Sequence, residues 1–314
     1  MASIPLWTRR LVRGGWLDHA RDDRHSVRSV PRTGGIGWLT GWVLGVAFAA
    51  LLEYFHSRTG IYCAGLVVLA FVLGLMDDHG KVSPLIKGTT ALLFLGLFLR
   101  VSLLWFDFDG WRPDWIGFAP PATGHAALAL IGRATASASQ AGASTAWFAL
   151  VLAIAFALHL AFQIFDNLDG VVGATSMVGL LHLAMGAGTS EFAILGLVGA
   201  SASLGFLGWN HPPARAFLGN AGSQCVGLIA AGLLGAALLR AGSGRSMVAI
   251  ALPFAWPLFD LGFVVLTRLA RRTPPWVGGR DHTTHLLARR IGDGPTFLVV
   301  LLVSLILAVV SRFL

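Results

Sequence analysis

Trp147-Phe148-Ala149-Leu150-Val151-Leu152-Ala153-Ile154-Ala155-Phe156-Ala157-Leu158-His159-Leu160-Ala161-Phe162-Gln163-Ile164-Phe165 runs without a break into Asp166-Asn167-Leu168-Asp169-Gly170. The apolar run carries no charged residue and is long enough, as a helix rising 1.5 Å per residue, to cross the hydrocarbon of a bilayer. It then ends in two carboxylates. A carboxylate in hydrocarbon costs several kcal/mol unless it lies at the interface, in a water-filled cavity or on a metal. The same arrangement recurs. Leu75-Met76 leads into Asp77-Asp78, Gly219-Asn220-Ala221-Gly222-Ser223 opens another apolar run, and Asp281-His282-Thr283-Thr284-His285 lies in a basic loop. Polar groups repeated at span ends point to one polar site at one membrane face, where a charged substrate meets lipid.

Composition agrees. Hydrophobic residues make up 55% of the 314 and charged residues only 12%, about half the charge of a soluble domain; the mean hydropathy is +0.73. Nine spans are expected, near 36–55, 61–76, 86–105, 146–165, 171–188, 192–209, 221–239, 247–267 and 296–313. Leu, Ala and Gly dominate and the alternation of a barrel strand is missing, so the expected fold is all-α, a polytopic transmembrane helix bundle. Residues 1–314 read as one integral membrane domain, with a basic cytoplasmic segment at 1–35 and an outer-side loop at 106–145. No signal-peptide cleavage pattern is evident. Cys63 and Cys225 fall inside spans, without metal or disulfide spacing, and read as packing residues.

Charge orients the bundle. With the N-terminus in the cytoplasm, 16 of the 23 Lys and Arg are cytoplasmic and 7 lie outside, as the positive-inside rule requires. All four polar clusters then face the cytoplasm. The net charge of +8 flanks spans, which suits anionic headgroups and a phosphorylated substrate and gives no reason to expect nucleic acid.

Each cluster admits two readings. Asp77-Asp78 can bind Mg²⁺ or handle a proton, but Asp-Asp-His-Gly is also good turn chemistry. Gln163, Asp166 and Asp169 are spaced three apart and share a helix face; that density exceeds what a cap needs. Gly219 to Ser223 can present backbone N–H groups to phosphate, or simply start a helix. His282 and His285, beside Arg280, Arg289 and Arg290, suit phosphate contact or acid–base work better than a zinc site, which needs more ligands.

Taken in order, these motifs resemble the polyprenyl-phosphate N-acetylhexosamine-1-phosphate transferase superfamily (glycosyltransferase family 4 type). Val30-Pro31-Arg32-Thr33-Gly34-Gly35 is similar to its Pro-Arg-x-Gly-Gly loop, and Gly74 to Asp78 with Lys87 to its Asp-Asp loop. Asp166 to Gly170 resembles the second acidic motif. Pro213 to Ser223 is similar to Pro-Ala-x-x-Phe-x-Gly-Asp-x-Gly-Ser, and Asp281 to Leu286 to the histidine loop. The resemblance implies transfer of a sugar-1-phosphate from a UDP-N-acetylhexosamine to a polyprenyl phosphate such as undecaprenyl phosphate, releasing UMP. The place would be the cytoplasmic face of a bacterial inner membrane. It implies Mg²⁺, with Mn²⁺ as the alternative, on Asp77, Asp78, Gln163 and Asn220. Asp77 and Asp78 would lie at the lipid-phosphate and metal end, and Asp166 and Asp169 would line the nucleotide pocket. Asn210 would bond the nucleoside, Phe217 would stack on uracil, and His282 and His285 would hold the diphosphate or sugar. Lys87, Asn167, Gly219 and Arg280 complete the substrate-contacting set; a homodimer stays open.

The chain departs from the pattern in three places. Asn220 replaces an Asp, Gln163 replaces an Asn, and the span before the Pro-Arg-x-Gly-Gly loop has no counterpart. Neutral amides hold a hard cation less tightly than a carboxylate, so a catalytically weakened or non-catalytic lipid- or nucleotide-binding relative is the alternative. A CDP-alcohol phosphotransferase would share Asp166-x-x-Asp169-Gly170, but its further residues are absent. A secondary transporter would place polar groups near the midplane. The missing consecutive His triplet favours a UDP-N-acetylhexosamine over UDP-MurNAc-pentapeptide.

The orientation has a direct test. Cysteines placed at His79 and Thr283 are expected to react with a membrane-impermeant maleimide in inverted vesicles and not in intact cells. Labelling from outside alone would reverse the topology and remove a cytoplasmic UDP-sugar with it.

Overall fold

The computed structural model describes residues 17–18, 30–55, 59–80, 82–105, 138–187, 191–241 and 244–314. Most of the basic N-terminal segment and residues 106–137 of the expected outer loop lie outside these; from Ala138 that loop is already helical. Among the described residues eleven α-helices follow one another: α1 (Gly34–Leu51), α2 (Thr59–Asp78), α3 (Pro84–Trp105), α4 (Ala138–Phe165), α5 (Val171–Gly186), α6 (Glu191–Asn210), α7 (Gly219–Leu238), α8 (Gly244–Ala251), α9 (Ala255–Ala270), α10 (Thr283–Ile291) and α11 (Asp293–Val310). The strands found among the described residues are two short antiparallel pieces, β1 (Leu17–Asp18) and β2 (Val30–Pro31), with Leu17 opposite Pro31.

Among the described residues eight spans are long and apolar enough to cross a membrane: α1 to α4, α6, α7, the run Ser246–Ala270 and α11. The ninth expected span, 171–188, is the 16-residue helix α5, about 24 Å long and short of a hydrocarbon core of about 30 Å. It is mostly buried, packed between α6 and α11, so lipid does not dictate its length. The expected span 247–267 lies within the run Ser246–Ala270, which a turn interrupts. A 3₁₀ turn at Leu252–Phe254 separates α8 from α9, with Pro253 in the turn and Pro257 just after it. Proline removes a ladder N–H and its ring clashes with the preceding turn.

Helix α7 is the axis. Its apolar window is wholly buried, and α1, α2, α3 and α4 all pack on it. Leucine is no less happy in lipid than in protein, so such a helix is held by close backbone approach and polar contacts, which favour small residues. Gly74 of α2 shows the principle: a Cβ there would stand 2.5 Å from the Cα of Ala221 and nearer still to the carbonyl oxygen of Asn220. Three backbone bonds fasten the segment before α1 to the segment before α7. Phe217 N–H donates to Pro31 O (2.9 Å), Gly34 N–H to Phe217 O (2.9 Å) and Gly35 N–H to Leu218 O (3.0 Å).

At the other side of the same face, Arg268 ends α9 and clamps the loop that follows. Its Nε and Nη2 donate to the two carboxylate oxygens of Asp281 (2.9 and 2.7 Å), and Nη1 donates to Pro275 O at 2.6 Å. A paired fork of this kind sets geometry as well as energy.

The glycine contact generates a test. Gly74→Ala drives a methyl into backbone that cannot rotate away, and overpacking of this kind costs about 1–3 kcal/mol. Gly65 on the same helix has nothing within 4 Å of its virtual Cβ, so Gly65→Ala is expected within about 0.5 kcal/mol of wild type. Thermal unfolding in detergent compares the two.

Candidate active site

Asp77 and Asp78 end α2, and neighbours on a helix point about 100° apart, so the two carboxylates serve different partners. Asp77 Oδ2 accepts from Lys87 Nζ at 2.9 Å, which ties the start of α3 to the end of α2. Asp78 turns to α7: Oδ1 accepts the N–H of Asn220 and Oδ2 that of Ala221, both at 2.9 Å. These are amides of a first helical turn, which have no partner inside their own helix. The guanidinium of Arg32 stands 3.8 Å from Asp78 Oδ1. Gly219 has φ +71°, and a Cβ there would press on the Asp78 carboxylate at 3.1 Å; only glycine satisfies both demands.

The turn after α4 forms the second wall. Asp169 Oδ2 accepts the N–H of Ala214 at 2.9 Å. Asn210, 3% exposed, accepts the N–H of Gly170 on Oδ1 and donates from Nδ2 to Ala216 O, each at 2.9 Å. Asn167 accepts from the hydroxyl of Thr284 at 2.7 Å and donates to Ile164 O. These three bonded side chains lash the acidic turn to the 210–216 segment and to α10. Between the walls, Ser223 Oγ donates to Gln163 Oε1 (3.0 Å) and approaches Asn220 O (3.3 Å), which brings the two departing positions of the sequence together.

The third wall is the histidine loop. His282 Nδ1 donates to Asp260 Oδ2 at 2.8 Å; Asp260 Oδ1 accepts from both the N–H and the hydroxyl of Thr283, at 2.7 and 2.6 Å. His282 and His285 meet edge to face, with ring centroids 5.7 Å apart. Asp281 is held down at about 2 by the hydrogen bonds from Arg268, so it stays an anion across the physiological range and the clamp stays charged. Its folded value lies below the ordinary carboxylate range. The stability it contributes is therefore present above about pH 4, and is lost as the pH falls toward 2.

All three walls enclose one cavity of about 390 Å³, inside the roughly 300–1,000 Å³ range of small-molecule sites. Of the residues expected from sequence, Asp78, Gln163, Asp166, Asn167, Asp169, Asn210, Phe217, Gly219, Asn220, His282 and His285 line it. Asp77 and Lys87 do not; they pair with each other. Arg280 lines a neighbouring cavity of about 410 Å³, with Arg268, Arg271, Asp281 and Arg289. Four further groups belong to the first cavity or its support and were missed. Arg32 and Arg268 line it, as does the 275–279 strip with Trp276, while the fully buried Asp260 stands behind His282. A lone Asp in an apolar span was the signal for Asp260; Arg268 was hidden by its place in a basic span end.

Chemically the cavity is divided. The Asp78, Asp166 and Asp169 carboxylates suit cations and hydroxyl or amide donors, while Arg32, Arg268 and the two imidazoles suit phosphate oxygens.

Comparison with known proteins gives this division a context. Residues 60–237, more than half of the chain, match the model for "Glycosyl transferase family 4". A probable undecaprenyl-phosphate N-acetylglucosaminyl 1-phosphate transferase of Bacillus subtilis is 25% identical over 311 residues, covering 97% of this chain and 79% of the relative. An undecaprenyl-phosphate alpha-N-acetylglucosaminyl 1-phosphate transferase of Thermotoga maritima is 31% identical over 145 residues, 46% of this chain and 44% of its own. A phospho-N-acetylmuramoyl-pentapeptide-transferase of Corynebacterium efficiens is 27% identical over 237 residues, 66% of this chain and 64% of its own. The chain belongs to glycosyl transferase family 4 and is a membrane enzyme of its polyprenyl-phosphate phosphosugar-transferase superfamily.

Proposed function

We propose that this enzyme transfers a sugar-1-phosphate from a UDP-N-acetylhexosamine to a polyprenyl phosphate at the cytoplasmic face of a bacterial inner membrane. The observation that carries the reading is the gathering of all four polar clusters around one cavity at the common end of the helices. The charge split of the loops supports the cytoplasmic side, and the activities of the similar bacterial transferases support the lipid and the phosphosugar.

In the reaction an oxygen of the lipid phosphate bonds to the β-phosphorus of the nucleotide sugar. The bridging P–O bond breaks and UMP leaves with its electron pair. One phosphoanhydride is made as one is broken, so catalysis rests on in-line placement and on meeting developing charge. Phe217 gives uracil a stacking face. Asp169, held by the Ala214 amide, and Asp166 address the nucleoside side. Arg32, Arg268, His282 and His285 face the diphosphate. Asn210 and Asn167 act by holding the acidic turn, since their side chains are committed to Gly170, Ala216, Ile164 and Thr284.

Three oxygen donors that line the cavity, Asp78, Gln163 and Asn220, suit a hard divalent cation, Mg²⁺ or Mn²⁺. Among the described residues no three His, Cys, Asp or Glu side chains gather to hold a metal, so a cation here would be shared with substrate phosphates and water, as Mg²⁺ commonly is. When bound it would neutralise charge on the diphosphate. Asp77, neutralised by Lys87, serves the α2–α3 corner in this reading.

Transfer of radiolabel from UDP-GlcNAc to polyprenyl phosphate in membranes, with UMP released and Mg²⁺ required, tests the proposal; label in neither product sinks it. Asp78→Asn is expected to lower turnover by about 10² or more, whereas Asp77→Asn should cost less than about tenfold because its carboxylate lies off the cavity. Near-equal losses in folded protein would show the division between them to be wrong. Asn220→Asp is expected to lower the Mg²⁺ concentration for half-maximal activity by about tenfold, the effect of about 1.4 kcal/mol from one added charge. A Mg²⁺ titration that does not move would place the cation elsewhere.

A further inference from the structure

Asp260 is a carboxylate with no exposure, set inside the span that carries α9. Such a group is retained only where its charge is met by bonds of good geometry. Three bonds meet it, and all come from two adjacent residues of the histidine loop: Nδ1 of His282, and the amide and hydroxyl of Thr283. His282 is also the residue that precedes α10, with an extended backbone and no capping bond from its own side chain. Asp260 therefore caps α10 from another helix and fixes the imidazole in the same act. With Nδ1 committed to the carboxylate, Nε2 is the nitrogen left for the cavity that the ring lines. A diphosphate oxygen accepts and does not donate, so it is an N–H at Nε2 that can meet it.

We infer that Asp260 is a positioning residue for transfer, holding His282 so that its Nε2–H points at the diphosphate of the nucleotide sugar. The inference rests on the function proposed above and adds a residue to it. No proton changes hands in this role; the contact tightens as charge grows on the leaving phosphate. Asp260→Asn keeps an oxygen for Thr283 but turns an NH₂ toward Nδ1, so the ring loses the acceptor that orients it.

A double-mutant cycle separates this role from a purely structural one. Asp260→Asn is expected to lower kcat with UDP-sugar by about 10–100-fold, with the KM for polyprenyl phosphate and the unfolding temperature little changed. In a His282→Gln background the same substitution should cost less than about threefold. Thr283→Val removes one bond of the cap and leaves the imidazole contact, and it should keep kcat within about threefold. An equal loss from Asp260→Asn in both backgrounds, or a Thr283→Val loss as large as that of His282→Gln, would overturn the inference while leaving the proposed function standing. A wild-type protein that neither binds nor turns over a UDP-sugar would overturn both.

Discussion

The first turn of α7 begins inside the protein, and its amides have no helical partners there. Asp78 supplies two acceptors, one oxygen to Asn220 and one to Ala221. A carboxylate at a helix N-terminus also meets the positive end of the helix dipole. Around that contact the chain can afford no bulk: Gly74, Gly219 and the Gly34-Gly35 pair all lie against it or against the residues just before it. Remove the carboxylate and the axis of the bundle loses its cap at the point where the cavity opens.

The same bond explains why two adjacent acids can be unequal. Rotation by one residue along α2 sends Asp77 to Lys87 and Asp78 to α7. One carboxylate secures a corner, the other lines a cavity, and the repulsion expected of neighbours is relieved because each has its own positive or donor partner. A comparable economy appears across the cavity, where Asp260 satisfies both the start of α10 and the ring of His282.

Much of this is legible in the amino-acid sequence. Polar residues at the ends of apolar runs are costly anywhere else, so Asp78, Asp166, Asp169, Asn220 and His282 declared a common face, and each lines the cavity. What stayed hidden depended on direction within a helix or on what surrounds one. Period and composition could not say which of Asp77 and Asp78 turns inward. Asp260 counted as part of an apolar span and Arg268 as one of the basic residues that follow it, and neither position tells that the two side chains hold the histidine loop. The short α5 reads in sequence like any other span, because apolarity does not tell a helix shielded by α6 and α11 from one that touches lipid.

Order of synthesis gives the Asp78 contact a further meaning. Its partners at Asn220 and Ala221 lie 142 and 143 residues downstream, which is roughly 7–30 s of translation at 5–20 residues per second. For that interval α1 to α4 are made without the helix they pack on. Residence at the end of α2, rather than deep within it, lets Asp78 wait in interfacial water at little cost. The arrival of α7 then gives that carboxylate its amides and draws the earlier helices onto one axis, and only the later histidine loop closes the cavity, so the newborn chain gains its site last.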